Sequence, residues 1–167
     1  MKRLVGVAAL TTTVAACSMG LSPEQSAQLD REYRPVVNAF IPACIATASG
    51  RKADYSAIKA LGYTQRDAMT GTGDYLYPSN KSLMSYDGVR FVPGKGCYAN
   101  RDGIPNVALG GLDEVGQVWV RALESAGYRN TGSSSSSFDF MADGVILRLN
   151  GASSSQSGLS FSITRAN

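Results

Sequence analysis

Apolar residues in the first third of the chain recur every three or four positions, the spacing of one face of an α-helix. The stripe follows Ser22-Pro23-Glu24-Gln25, which supplies a capping serine, a proline suited to the first turn and a glutamine that completes a capping box. The pattern predicts a helix from about Pro23 that carries Cys44 on its apolar face. Pro35 and Pro42 interrupt the stripe, so we expect a kinked helix or two abutting helices.

Two later stretches also have helical spacing. Residues 54–61 predict a short helix that Asp54 caps, with Ile58 and Leu61 facing inward and Gly62 ending it in the left-handed conformation. Residues 112–126 predict a third helix, with acidic residues at its positive N-terminal end and Gly127 after its last turn.

Alternation of apolar and polar residues predicts strands elsewhere. We expect the chain to be extended from Tyr63. Residues 82–86 and 89–92, on either side of Asp87-Gly88, predict a hairpin, and residues 96–100 predict another strand. After the third helix, alternate apolar positions mark three more strands, at Phe138 and Phe140, at Val145, Leu147 and Leu149, and at Leu159, Phe161 and Ile163. The sequence therefore predicts an α+β fold, an antiparallel sheet with helices packed on one face, in the order roughly α-α-β-β-β-α-β-β-β.

Residues 1–17 have the composition of an export signal instead. Lys2 and Arg3 are followed by an uncharged stretch, residues 4–16, too short for a bilayer-spanning helix, which takes about 20 apolar residues. The alternatives are an ordinary secretory signal that happens to contain a cysteine, or a buried N-terminal helix.

Val14-Ala15-Ala16-Cys17 resembles the lipobox of bacterial lipoproteins. The resemblance implies cleavage before Cys17 and its acylation with fatty acids such as palmitate. Ser18, in place of an aspartate, implies transfer to the outer membrane, and we expect the protein to face the periplasm. Residues 1–16 would then be a signal peptide, residues 17–22 a lipidated tether and residues 23–167 a single α+β envelope domain.

Loss of the signal changes the charge. The whole chain has 16 basic and 13 acidic residues, and without Lys2 and Arg3 the mature chain has a net charge of only +1. No dense cluster of Lys and Arg follows, so we do not expect nucleic-acid binding. Attachment to the membrane is expected through the acyl chains.

Two cysteines remain in the mature chain, Cys44 and Cys97. An even pair in an oxidising compartment predicts a disulfide, which would close a loop of about 54 residues and contribute about 4 kcal/mol. The alternative is two separate buried thiols. The pair is too small for a structural zinc site, which needs four ligands.

The chain contains no histidine. This excludes Ser-His-Asp and Cys-His catalysis and the usual zinc, copper and non-haem iron ligand sets. Asp67 and Asp74 flank a glycine-rich loop, but the alternating ligands of a calcium loop are missing. We therefore expect no metal, no cofactor and no enzymatic activity.

A binding surface is the remaining candidate. Tyr75 and Tyr77 occupy alternate positions and would present two rings on one face, with Arg90, Lys95 and Arg101 as a basic rim. The alternative is that the two tyrosines are ordinary cross-strand aromatics.

Three functions agree with these features. The first is a non-catalytic lipoprotein that binds an envelope protein or assists assembly through its loops or an open sheet edge. The second is an inhibitor or immunity lipoprotein directed at a secreted lytic enzyme. The third is a histidine-free, carboxylate-based enzyme acting on cell-wall glycans.

Overall fold

The computed structural model describes residues 22–67, 72–80, 88–102, 114–132, 134, 137–154 and 158–166. Its elements are α1 (Pro23–Ala48), α2 (Ser56–Ala60), β1 (Tyr63–Asp67), β2 (Asp74–Pro78), β3 (Gly88–Val92), β4 (Gly96–Asp102), α3 (Glu114–Ser125), β5 (Ser137–Ala142), β6 (Val145–Ser154) and β7 (Gly158–Arg165). The predicted α+β class and order are confirmed, with four described strands between α2 and α3. The predicted signal, residues 17–21 of the tether and the strand at 82–86 lie outside the described residues.

The seven strands form one antiparallel sheet in the order β1-β2-β3-β4-β7-β6-β5. Each half is a meander, β1–β4 and β5–β7, and the two halves join where β4 pairs with β7 along Gly96↔Thr164 to Asp102↔Gly158. The chain passes through α3 between the two meanders. Non-local pairing therefore lies at the centre of the sheet, and β1 and β5 are its edges.

The helices cover one face of this sheet. α1 packs against β3, β4 and β7, and α3 packs against α1. Trp119 of α3 lies between Phe40 of α1 and Phe161 of β7, with ring centroids 6.3 and 6.1 Å away. Most buried strand residues share this face: Leu76, Val89, Phe91, Cys97, Ala99, Phe138, Phe140, Ala142, Leu147, Leu149, Phe161 and Ile163. Val92 and Ser137, which are also buried, alternate with them and point to the other face.

α1 begins as the sequence predicts. The Gln25 backbone N–H donates to Ser22 Oγ (3.3 Å), and the Ser22 N–H donates to Gln25 Oε1 (2.9 Å), so the capping box is complete. Pro35 and Pro42 lie inside one helix, not at a boundary between two. None of the helices within the described ranges is long and apolar enough to cross a membrane.

Cys44 and Cys97 form the predicted disulfide. Their Cα atoms are 5.0 Å apart and both side chains are completely buried. The bond joins α1 to β4 at the middle of the sheet, where the two meanders meet.

Two local predictions were wrong. Leu61 is 43% exposed, because α2 ends at Ala60 and only Ile58 of this helix reaches the core. The hairpin predicted between residues 82–86 and 89–92 is also wrong, because residues 89–91 of β3 pair with β2 on one side and β4 on the other. Both sides of that stretch are therefore occupied.

Candidate functional site

The sheet has a second face, which no described helix covers. Residues that alternate with the buried positions point to this face, among them Tyr75 and Tyr77 of β2, Arg90 of β3 and Tyr98 of β4. We call it the uncovered face. It is where the predicted interaction residues of β2 and β3 lie.

Strand register places four of these residues in a line across the β1–β4 half. Arg66 lies opposite Tyr75, Tyr75 opposite Arg90, and Arg90 opposite Tyr98. We call these four residues the Arg–Tyr row. Since neighbouring strands are about 4.8 Å apart, the row spans roughly 14 Å with cationic and aromatic side chains in alternation.

The tyrosine pair is packed and not isolated. The rings of Tyr75 and Tyr77 stack with centroids 6.0 Å apart and planes 15° apart. The guanidinium carbon of Arg66 lies 5.5 Å from the Tyr75 centroid and 5.0 Å from the Tyr77 centroid, which is cation–π distance. The two rings therefore share one face, and both are half-buried.

Gly88 makes room for the Tyr75 ring. A Cβ added at Gly88 would lie 2.4 Å from Tyr75 Oη and 2.8 Å from the backbone oxygen of Leu76. No side chain larger than hydrogen fits there unless both the ring and the backbone at Leu76 move. The start of β3 thus sets the position of an aromatic side chain on β2.

Arg90 occupies the middle of the row between two tyrosines. Its Nη2 donates to the Thr72 carbonyl oxygen at 3.3 Å, while its buried Nε has no hydrogen-bond partner within the described part of the chain. Tyr98, beside it, is 39% exposed. On the other half of this face, Arg148 donates two hydrogen bonds of 2.7 Å to Asp139. Arg90 has no such partner among the described carboxylates.

The predicted basic rim has two other residues, Lys95 and Arg101. Lys95 lies away from the row, and the side chain of Arg101 is not among the described residues. Lys95 is exposed in the turn between β3 and β4, at the end of the sheet. Arg101 lies in β4 with its backbone opposite Leu159, and its side chain is outside the described residues. The structure thus brings together Tyr75, Tyr77 and Arg90 of the predicted set.

Sequence reasoning missed Arg66 and Tyr98. Tyr98 alternates with the inward-facing Cys97, so period-two patterning could have placed it on the opposite face. Arg66 had no such signal, because its position depends on the pairing of β1 with β2, which composition does not reveal.

A cleft of about 710 Å³ lies elsewhere, where the α1–α2 connection meets the edge of the sheet. On its wall, Asp74 accepts hydrogen bonds from Tyr55 Oη (2.9 Å) and Gln65 Nε2 (3.0 Å). Burial raises the pKa of the Tyr55 hydroxyl, and the hydrogen bond to Asp74 raises it further. This tyrosine is therefore a neutral donor that positions Asp74.

Carboxylate catalysis would need one acid kept protonated by a raised pKa. Asp54 also lines the cleft, but the backbone N–H of Ser56 lowers the pKa of its carboxyl group. Each described carboxyl group whose pKa is clearly shifted moves in the same downward direction: Glu24, Asp30, Asp54 and Asp139. These shifts favour ionised carboxylates that hold structure.

Metal ligands do not converge within the described ranges. There, no group of three or more His, Cys, Asp and Glu side chains is close enough to hold an ion. The side chain of Asp67 and residues 68–71 of the glycine-rich loop lie outside the described residues, so the calcium alternative is not tested there.

Comparison of the chain with protein-family models, with curated proteins and with solved structures found no match.

Proposed function

We propose that this protein is a lipid-anchored envelope protein that acts as a non-catalytic binding module and holds a protein partner on its uncovered face. The Arg–Tyr row is the observation that carries the proposal. Tyrosine and arginine are the residue types most enriched at the energetic centres of protein interfaces. Here four of them are aligned on adjacent strands.

The two faces of the sheet differ in the residues they carry, and this difference supports the proposed function. Helices, disulfide and apolar side chains stabilise the sheet from one side. Partly exposed tyrosines and arginines lie on the other, at backbone positions that strand pairing fixes and therefore preorganises for contact. A rigid surface of this kind loses little side-chain entropy on binding.

Anchoring is tested by the Cys17→Ser variant. The lipobox resemblance predicts that wild-type protein incorporates labelled palmitate and fractionates with membranes, whereas the variant does neither. The comparison uses equal expression of both proteins and follows the molecular mass of the mature form. A variant that still fractionates with membranes, with no label on the parent, would remove the anchor from the proposal.

Binding is tested by placing a photo-crosslinking phenylalanine analogue at Tyr98 in cells. The matched control carries the same analogue at Glu124, an exposed position on α3. We expect a discrete adduct from position 98 and none from position 124. Absence of an adduct at 98, or the same adduct from both positions, would reject the uncovered face as the binding surface.

A further inference from the structure

The charge on the uncovered face indicates what kind of partner it fits. We propose that the partner presents an extended protein segment whose side chains facing the row are both acidic and apolar, and that Arg90 pairs with one of its carboxylates. This inference rests on the proposed function and names the partner chemistry of the same face.

Arg90 has donors to spare. A guanidinium carries five N–H donors. Within the described residues Arg90 uses one of them, in the hydrogen bond to the Thr72 carbonyl oxygen. The Nε of Arg90 is buried without a partner there, so an incoming acceptor would bind the terminal Nη groups of this partly exposed side chain. A carboxylate is the acceptor that matches a guanidinium in shape and charge.

The neighbours of Arg90 strengthen such a contact. Tyr75 and Tyr98 lie opposite it on the two adjacent strands, about 4.8 Å away on each side. Cross-strand neighbours of this size leave less room for water around a side chain between them, and a hydrogen-bonded ion pair is stronger where water is excluded. The same rings offer apolar contact to the side chains that flank a carboxylate.

A protein segment fits this row better than a membrane surface or a polyanion. Anionic lipid surfaces and nucleic acids are recognised by clusters of Lys and Arg, about four to eight for a lipid headgroup region. Here the mature chain has a net charge of +1, and the cation and aromatic positions of the row alternate. An extended segment presents a side chain to one face about every 7 Å, so it would place about three side chains along the roughly 14 Å of the row.

The test uses the complete mature chain with Cys17→Ser and two synthetic peptides. The probe peptide carries glutamate and tyrosine two residues apart, on the same face of an extended chain, and its control has glutamine in place of glutamate. Affinity is measured by calorimetry, and the Arg90 Nε–Hε signal is followed by NMR. We expect the glutamate peptide to bind about tenfold more tightly than the glutamine peptide and to shift the Arg90 signal.

Arg90→Gln should weaken binding of the glutamate peptide by about tenfold, and Arg90→Lys by an intermediate factor because the forked geometry is lost. Arg129→Gln is the matched control, since Arg129 is exposed beyond α3 and its loss removes the same charge. It should leave affinity within about twofold. Thermal unfolding of all three variants checks that each is folded.

Three outcomes would overturn the inference. These are no binding of the glutamate peptide by wild-type protein, equal binding of both peptides, and equal loss from Arg90→Gln and Arg129→Gln. Binding to phosphatidylglycerol vesicles that depends on Arg90, stronger than binding to the peptide, would assign the face to lipid instead. An adduct at Tyr98 in cells together with any of these results would leave the proposed function standing and reject only the acidic partner.

Discussion

The arginine residues of the protein differ in the groups to which their guanidinium N–H groups donate. Arg121 binds Asp30 through Nε and Nη2 at 3.0 and 2.8 Å, and Arg148 binds Asp139 at 2.7 Å. Arg165 donates from Nε to the Ala48 carbonyl at 2.7 Å. These partners belong to the fold itself, so the three arginines join elements of the structure to one another. Arg90 differs because it makes one hydrogen bond within the described part of the chain, to the Thr72 carbonyl, and none to a described carboxylate.

The Gly88→Ala substitution tests how closely the tyrosine pair is placed. The added Cβ would lie 2.4 Å from Tyr75 Oη and 2.8 Å from the Leu76 oxygen, so both the ring and the backbone must move. We expect a loss of about 1–3 kcal/mol in the free energy of unfolding, measured by urea titration. Combining it with Tyr75→Ala should recover the part due to the ring. Wild-type stability in Gly88→Ala would contradict the close approach.

Asp139 gives a prediction about pH. The hydrogen bond from Arg148 lowers the pKa of Asp139 in the folded state, so the unfolded state binds the proton more readily. Its stabilisation is complete above the unfolded pKa and is lost as pH falls through the folded value. Thermal unfolding of Asp139→Asn should therefore depend less on pH than that of wild type between about pH 5 and pH 2. Parallel curves for the two proteins would show that the pair contributes nothing in acid.

At the scale of elements, α1 is fastened at three places along its length. Asp30 ties its first half to α3 through Arg121, Cys44 joins it to β4, and the Ala48 carbonyl accepts from Arg165 of β7. These ties hold one helix to elements of both meanders. They explain why Pro35 and Pro42 are accommodated within one helix, since tertiary contacts contribute more than local propensity.

Removing the disulfide should loosen this arrangement. The bond separates residues by 53 positions, and the chain-entropy model gives about 4 kcal/mol for a loop of that size. We expect Cys44→Ala combined with Cys97→Ala to lower the free energy of unfolding by about that amount in urea titration. Reduced wild-type protein is the control and should fall by a similar amount. A loss well below 1 kcal/mol in both would show that packing alone holds α1 on the sheet.

Individual elements could be predicted because their signals are local. The capping box at Ser22 and the alternation around Leu147 each depend on a few neighbouring residues. Partners of the strands could not be predicted in the same way. The failed hairpin at residues 82–86 and the missed Arg66 share one cause, because both depend on β2 pairing with β1 and β3.

The fold of the whole molecule depends on one strand pairing, that of β4 with β7, which local sequence patterns do not specify. β4 and β7 are separated in sequence by α3 and by two other strands, yet their pairing joins the meanders. The Arg–Tyr row belongs to one meander, and the Asp139–Arg148 pair belongs to the other. The proposed partner would therefore contact a surface whose rigidity comes from the common core beneath it.

Ile163 is the position where this coupling can be measured. It is completely buried in β7, opposite Cys97 of β4 and opposite Leu149 of β6, so its side chain packs at the join. Ile163→Ala should cost about 2–5 kcal/mol, and because both meanders share this core, hydrogen exchange should accelerate in β3 as well as in β6. Leu61→Ala, at a 43% exposed position, is the control and should change neither. Acceleration confined to β5–β7 would mean that the two halves of the sheet open separately, and the row on β1–β4 would then be stabilised by its own meander and α1 alone.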